Sequence, residues 1–160
     1  MSKIKLRYKI RKKKDRVAIK KIGKSTGFFT KKEIKLSLEV FDECVSDSHS
    51  GYYFVFAEIG KRMVGYASWG KDEQTFNSFE LYWIAVDDSY RNCGIGKLLI
   101  EDVEASIRKL GAAQLFIETS GREVYEPTRY FYEHRGYAQS AWLSDYYSPG
   151  DALVIYSKRL

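Results

Sequence analysis

Proline is almost missing from this chain. Pro127 and Pro149 are the only two in 160 residues, so no proline-rich linker divides it. Cysteine is as scarce: Cys44 and Cys93 form no CxxC and no disulfide-like spacing, which excludes a disulfide scaffold and suits a reducing compartment. His49 and His134 have no clustered partners, so the sequence offers no metal centre. No apolar run approaches the roughly 18 residues of a membrane span, and the opening MSKIKLRYKIRKKK lacks the apolar core of a signal peptide. Repeats and low-complexity tracts are absent as well. The expectation is one cytoplasmic domain over residues 1–160, with 44% hydrophobic residues to fill its core.

Charge is present but lopsided. Residues 1–24 hold twelve Lys/Arg against Asp15 alone, a local +11, while the remainder is −5. A basic arm for nucleic acid is one reading. The alternation Lys3-Ile4-Lys5-Leu6-Arg7-Tyr8-Lys9-Ile10 favours another, an edge strand with one apolar face and a lysine-guarded one. Period-two apolar residues are not expected of a disordered basic tail, so a nucleic-acid partner is not expected.

The elements that follow read in order. A short helix over residues 15–22 is expected to stop at Gly23. Thr30 with Glu33 three residues on makes a capping box, and Ile34, Leu38, Phe41 and Val45 share one face of a helix ending near residue 46. Residues 51–59 and 62–69 form a hairpin about Gly60-Lys61, and residues 79–86 are the next strand. A helix over 95–110 follows, with Leu98, Leu99, Val103, Ile107 and Leu110 inward. Residues 114–119 then return as a strand parallel to 79–86. Pro127 opens a helix over 126–135, and strands over 137–147 and 152–158 close the chain around Ser148-Pro149-Gly150-Asp151. The series is α+β with a mixed sheet.

The stretch LYWIAVDDSYRNCGIGKLL, residues 81–99, organises the rest. A strand runs through a polar turn into a loop whose glycines, Gly94 and Gly96, open directly into a helix. Unpaired amides at that helix start, backed by its dipole, form an anion site that glycine lets a phosphate approach. An ATPase P-loop would need a hydroxyl after Lys97, where Leu98 stands, and a dinucleotide fingerprint would need a third glycine at Leu99. What remains is Arg91-x-x-Gly94-x-Gly96. It resembles the pyrophosphate loop of the GNAT acyltransferase superfamily, whose members bind acetyl-CoA and acetylate amines. Thirty-six residues after Gly96, Tyr132-Glu-His-Arg-Gly136-Tyr137 resembles the second signature of that superfamily, YxxxG followed by Phe or Tyr. The two motifs stand in the right order and spacing, and the resemblance covers almost the whole chain, including an uncharacterised branch's TSGREVYEPTRYFYEHRGY segment.

The resemblance implies a mostly antiparallel sheet with two splayed parallel central strands and flanking helices. It implies acetyl-CoA as acyl donor, with no metal. The carrier's diphosphate would lie on Arg91, Asn92, Cys93, Gly94, Ile95, Gly96 and Lys97, and its pantetheine arm on the backbone of Ile84, Ala85 and Val86. Tyr132, at the signature position, is the implied general acid for the departing thiolate. Glu80, which opens the central strand, is the candidate base, with Glu118 on the neighbouring strand as the other option. Seven residues before Tyr132, where many members have Asn, this chain has Tyr125, a longer donor toward the cofactor. The expected reaction is N-acetylation of a small-molecule or amino-acid-like amine. Alternatives are acetylation of protein lysines or N-termini and a non-catalytic acyl-CoA sensor. Phe28, Phe29, Tyr82, Trp142 and Tyr146 are candidate acceptor-pocket aromatics, and aromatic-rich C-terminal strands suggest a possible homodimer.

Overall fold

The computed structural model describes residues 3–160; Met1 and Ser2, the start of the basic segment, lie outside the described residues. A seven-stranded sheet runs in the order β1-β2-β3-β4-β5-β7-β6, formed by β1 (Ile4–Arg7), β2 (Tyr52–Ile59), β3 (Arg62–Lys71), β4 (Ser78–Val86), β5 (Gln114–Ser120), β6 (Ala138–Ser148) and β7 (Asp151–Arg159). Only β4 and β5 pair in parallel; the other neighbours are antiparallel. Helices α1 (Lys12–Ser25) and α2 (Lys31–Ser46) cover one face, and α3 (Ile95–Lys109) and α4 (Glu126–Glu133) the other. The result is α+β, mixed and mostly antiparallel. No helix among the described residues is long and apolar enough to cross a membrane.

The basic N-terminus becomes the edge strand its alternation predicts. Ile4 and Leu6 pack against the core while Lys3 and Lys5 face water. Part of the segment's charge is spent inside the fold. Arg7 binds the buried Asp15 at 2.7 Å and Glu58 at 2.8 Å, and Arg11 shares Glu58 at 3.0 Å. Helix α1 does not stop at Gly23 as the sequence suggests. Gly23 is buried within it, because α2 crosses there: a Cβ at Gly23 would stand 3.3 Å from Ile34 Cγ1. The glycine serves close helix contact, and the chain turns later, at Gly27 (φ 75°). The capping box that starts α2 is present, with Glu33 N–H on Thr30 Oγ1 at 3.1 Å and Thr30 N–H on Glu33 Oε2 at 2.6 Å.

Helix α3 buries Ile95, Leu99, Ile100, Val103 and Ile107, each contributing about 1.5–3 kcal/mol of apolar burial. Leu110, expected inward, lies beyond the last turn and is exposed, and Leu98 is only half-buried. Spacing alone mistook the helix end by one residue.

The central strands position the site. Trp69 opposes Leu81 and Ser68 opposes Trp83, so Tyr82 is an extra residue on β4 with no partner on β3, a β-bulge. The bulge reverses which face each side chain takes. Phe79 and Leu81 before it, and Ile84 and Val86 after it, all join the core under α3. Trp83 and Ala85 turn to the core under α1 and α2. On the other edge, β4 pairs with β5 only from Ser78 opposite Gln114 to Leu81 opposite Ile117. Beyond that point β4 stays with β3 to Val86, and β5 stays with β7 to Ser120. The two parallel strands therefore splay, and the facing edge of β4 from Tyr82 onward is unpaired by β5.

Candidate active site

The loop after β4 is built by local hydrogen bonds. Asp87 N–H donates to Val64 carbonyl at 2.8 Å, and the Asp87 carboxylate accepts from Ser89 N–H at 3.0 Å and Arg62 at 2.9 Å. Burial works against its charge, yet the amide and the guanidinium hold the Asp87 carboxyl below its usual range. A 3-10 turn (Asp88–Tyr90) leads to Asn92 (φ 59°) and Gly94 (φ 78°), two left-handed residues around Cys93. Leu98 N–H is the first α3 amide bonded back, to Gly94 carbonyl at 3.0 Å, which leaves those of Ile95, Gly96 and Lys97 ahead of it with no partner in the helix. At Gly96 any side chain would meet the Phe131 ring at 3.4 Å. Gly94 is needed for its left-handed conformation, whereas a Cβ at Gly96 would only touch that ring.

In front of these amides lies a cavity of about 790 Å³. It is lined by Ile84, Ala85 and Val86 from the open edge of β4, by Arg91, Asn92, Gly94, Ile95, Gly96 and Lys97, and by Val124, Pro127, Thr128, Phe131 and Arg135 around α4. Thr26, Gly27 and Phe28, between α1 and α2, close the far side. Arg91 is not a loose cation here. Its Nε sits 2.8 Å from Asp88 Oδ1 and its Nη2 donates to Thr26 carbonyl at 2.8 Å, tying the loop to the α1–α2 turn. Cys93 is outside the lining; it packs half-buried on the core with Sγ 3.5 Å from Arg91 carbonyl.

A second cavity, about 600 Å³, adjoins the first, and Phe28, Ile84 and Thr128 line both. Its walls hold Glu80, Tyr82, Glu118, Tyr125, Tyr132 and Tyr147, with Phe29 and Glu33 from the start of α2. Glu80 is opposite Phe116, and Glu118 is two residues further along β5, so both carboxylates take one face of the splay. Burial first, then the charges of Glu118 and Asp72, push the Glu80 pKa up to about 7. Burial also pushes the Tyr132 phenol well above its ordinary value, helped by Tyr156, so it keeps its proton throughout the neutral range. Among the described residues the Tyr132 hydroxyl makes no hydrogen bond, whereas its neighbours Tyr137 and Tyr156 donate to Glu104 and Glu133, each at 2.8 Å. Tyr125 lines this second cavity and not the first; its hydroxyl donates to Glu33 Oε1 at 3.0 Å and burial raises its pKa. Among the described residues no group of three or more His, Cys, Asp and Glu is arranged to hold a metal ion.

A family model, Acetyltransferase (GNAT) family, matches residues 22–137, which include both cavities' central strands and the whole phosphate-type loop. The chain belongs to the GNAT acetyltransferase family. A GNAT-family acetyltransferase assigned in Desulfovibrio desulfuricans has a crystal structure 36% identical to this chain, covering 98% of it and 99% of its own length, with a TM-score of 0.92. The fold is also that of the ribosomal-protein-S18-alanine N-acetyltransferase of Escherichia coli (19% identity, 98% and 94% coverage, TM-score 0.77). PaiA N-acetyltransferase of Thermoplasma acidophilum, solved with coenzyme A, has it too (17% identity, 99% of each chain, TM-score 0.75). No curated protein matches the sequence.

Several residues of this GNAT site escape sequence reasoning. Thr128 and Phe131, on one side of α4, and Arg135, just past its end, reach the first cavity at intervals of three and four residues. That period was legible. Glu33, Arg122, Tyr147 and Asp151 reach the second cavity from three separate segments, and no local pattern points them toward it.

Proposed function

We propose that the chain is a single N-acetyltransferase domain that moves the acetyl group of acetyl-CoA to an amine of a small-molecule or amino-acid-like acceptor. The observation that carries this reading is the junction of the two cavities at Phe28, Ile84 and Thr128, with open amides on one side and Tyr132 and Glu80 on the other. The diphosphate of the carrier would lie on the amides of Ile95, Gly96 and Lys97, next to Asn92 and Gly94. Its pantetheine arm would run along Ile84, Ala85 and Val86, the stretch of β4 that β5 leaves unpaired, and a main-chain N–H there would hold the thioester oxygen. The thioester would then point through the junction toward the second cavity.

There the acceptor nitrogen attacks the carbonyl carbon. The C–N bond forms, the C–S bond breaks, and the electron pair leaves on sulfur. An ammonium cannot attack, so a carboxylate must first take its proton; Glu80, with its pKa near 7, is partly deprotonated at neutral pH and can do so directly or through water. Tyr132 delivers its phenolic proton to the departing thiolate and regains one from solvent. The nitrogen sheds its second proton to water as the amide forms and Glu80 passes the first to solvent, a net release of one proton. Glu118 keeps the second carboxylate of the pair beside Glu80.

A volume of about 600 Å³ falls within the roughly 300–1,000 Å³ of small-ligand pockets, which favours a compact amine over a protein segment. An assay of thiol release from acetyl-CoA over a panel of amines, with calorimetry of acetyl-CoA and CoA, tests the reading. Turnover with small amines and a measurable heat support it. Binding without turnover for any amine or peptide would make the protein an acyl-CoA sensor, and no heat with either carrier would end the acetyltransferase assignment.

The homodimer is supported by β6, the outer strand at the other end of the sheet from β1. It carries exposed Trp142, Leu143, Tyr146 and Tyr147 and a single charged side chain, Asp145. Light scattering that finds a 18.6 kDa particle at micromolar concentration rejects it.

A further inference from the structure

Three cations line the first cavity, and two of them are already committed. Arg91 is paired with Asp88 and bonded to Thr26 carbonyl, and Lys97 Nζ lies 3.8 Å from Glu101. Arg135 differs. Among the described residues it has no carboxylate within ion-pair distance, and its Nε is buried with no hydrogen-bond partner. A charged donor withdrawn from water and left without an acceptor is costly unless something supplies one.

The arginine is held in that position from two sides. Its guanidinium carbon lies 5.4 Å from the centre of the Phe131 ring, the same ring that lies against Gly96. This sets the charge beside the loop whose amides face the cavity. Its main chain is fastened as well: Arg135 N–H donates to Tyr132 carbonyl at 2.9 Å, and Lys158 Nζ donates to Arg135 carbonyl at 2.9 Å. Lys158 is itself gripped by the buried Glu104, at 2.9 and 3.1 Å, which also accepts from Tyr137. So α3, β7 and the end of α4 converge to fix one residue whose own charge is unspent.

We propose that Arg135 is a phosphate-binding residue for the acyl carrier, pairing its guanidinium fork with phosphate oxygens of the carrier in the first cavity. The planar fork suits two phosphate oxygens at once, which neither a lysine nor the committed Arg91 would offer. This rests on the first cavity being the acetyl-CoA site. The carrier has two kinds of phosphate, the diphosphate and the ribose 3′-phosphate; both present the oxygens the fork takes, and a carrier lacking the second separates them.

Calorimetry with CoA and 3′-dephospho-CoA on the wild type, Arg135→Ala and Arg135→Lys tests it. Arg135→Ala should weaken CoA by about tenfold or more, and Arg135→Lys should recover only part of that. Unchanged 3′-dephospho-CoA binding by the Ala variant assigns the contact to the 3′-phosphate, and an equal loss for both ligands assigns it to the diphosphate. CoA bound as tightly by Arg135→Ala as by the wild type overturns the proposal. If the wild type binds neither ligand, the carrier-site reading itself has failed, and the variants are not needed to learn it. Should Arg135→Ala not fold, Arg135→Gln keeps the stem over Phe131 and carries the same comparison.

Discussion

The two cavities meet at three residues but are built in opposite ways. The first owes its defining features to one unbroken stretch, Ile84 to Lys97: a strand edge, a loop with two left-handed residues, and the open end of a helix. The main-chain amides it presents are not removed by side-chain changes. The second takes its wall from the start of α2, both central strands, the approach to α4 and the final hairpin, and its titratable groups come from all of these. One fold can thus keep a common carrier while the acceptor pocket is rebuilt by scattered substitutions. The difference predicts that variants in the first should alter carrier affinity, and variants in the second should alter turnover or acceptor use.

The sharpest separation is expected at Tyr132→Phe. It should lower turnover by an order of magnitude or more while acetyl-CoA affinity stays nearly intact, because only the donated proton is lost. Unaltered turnover would remove Tyr132 from the mechanism. Glu80→Gln should lower the rate at pH 7 by about tenfold. If Glu80 is the base, burial and then the charges of Glu118 and Asp72, which push its pKa up to about 7, should make kcat/KM in the wild type climb as pH rises through about 7, and this acidic limb should vanish in the variant. A limb that stays in place passes the role of base to another group, with Glu118 next in line.

From the other side, Gly96→Val drives a branched side chain toward Phe131 and across the loop's open amides. Acetyl-CoA affinity should fall by about tenfold, by calorimetry, with little change in acceptor KM at saturating carrier. An equal fall in acceptor use would mean the cavities are not separable. Glu33→Ala removes half of the α2 capping box and the partner of Tyr125, so the melting temperature should drop by an amount matching about 1 kcal/mol, and acceptor KM should change while carrier affinity does not. The smallest effect belongs to Glu118→Gln. Burial is the larger cause of the raised Glu80 pKa, so removing the neighbouring charge should move the acidic limb downward by less than about one pH unit. A limb that moves upward, or not at all, breaks the electrostatic link between the two strands.

Residues 81–99 announced a strand, a glycine loop and a helix by local chemistry, and β4, that loop and α3 are present. The capping box of α2 and the edge strand at the basic terminus were equally readable, since each depends on neighbours a few residues away. Gly23 misled because a glycine that ends a helix and one that admits a neighbouring helix look identical in one dimension. Tyr125 illustrates the same limit at the site: its place in the motif pointed toward the carrier, and the structure sets it on Glu33 in the other cavity.

The amino-acid order by itself determined the series of strands and helices, the parallel crossover, and a glycine loop opening into a helix, because periodicity, capping and glycine placement act over a handful of residues. Only the tertiary structure decided where β4 and β5 part, how the bulge at Tyr82 exchanges the faces of the strand, and which distant side chains share a cavity. Those depend on contacts between segments up to about a hundred residues apart, and a local pattern fixes register across a tight turn but not between such distant segments.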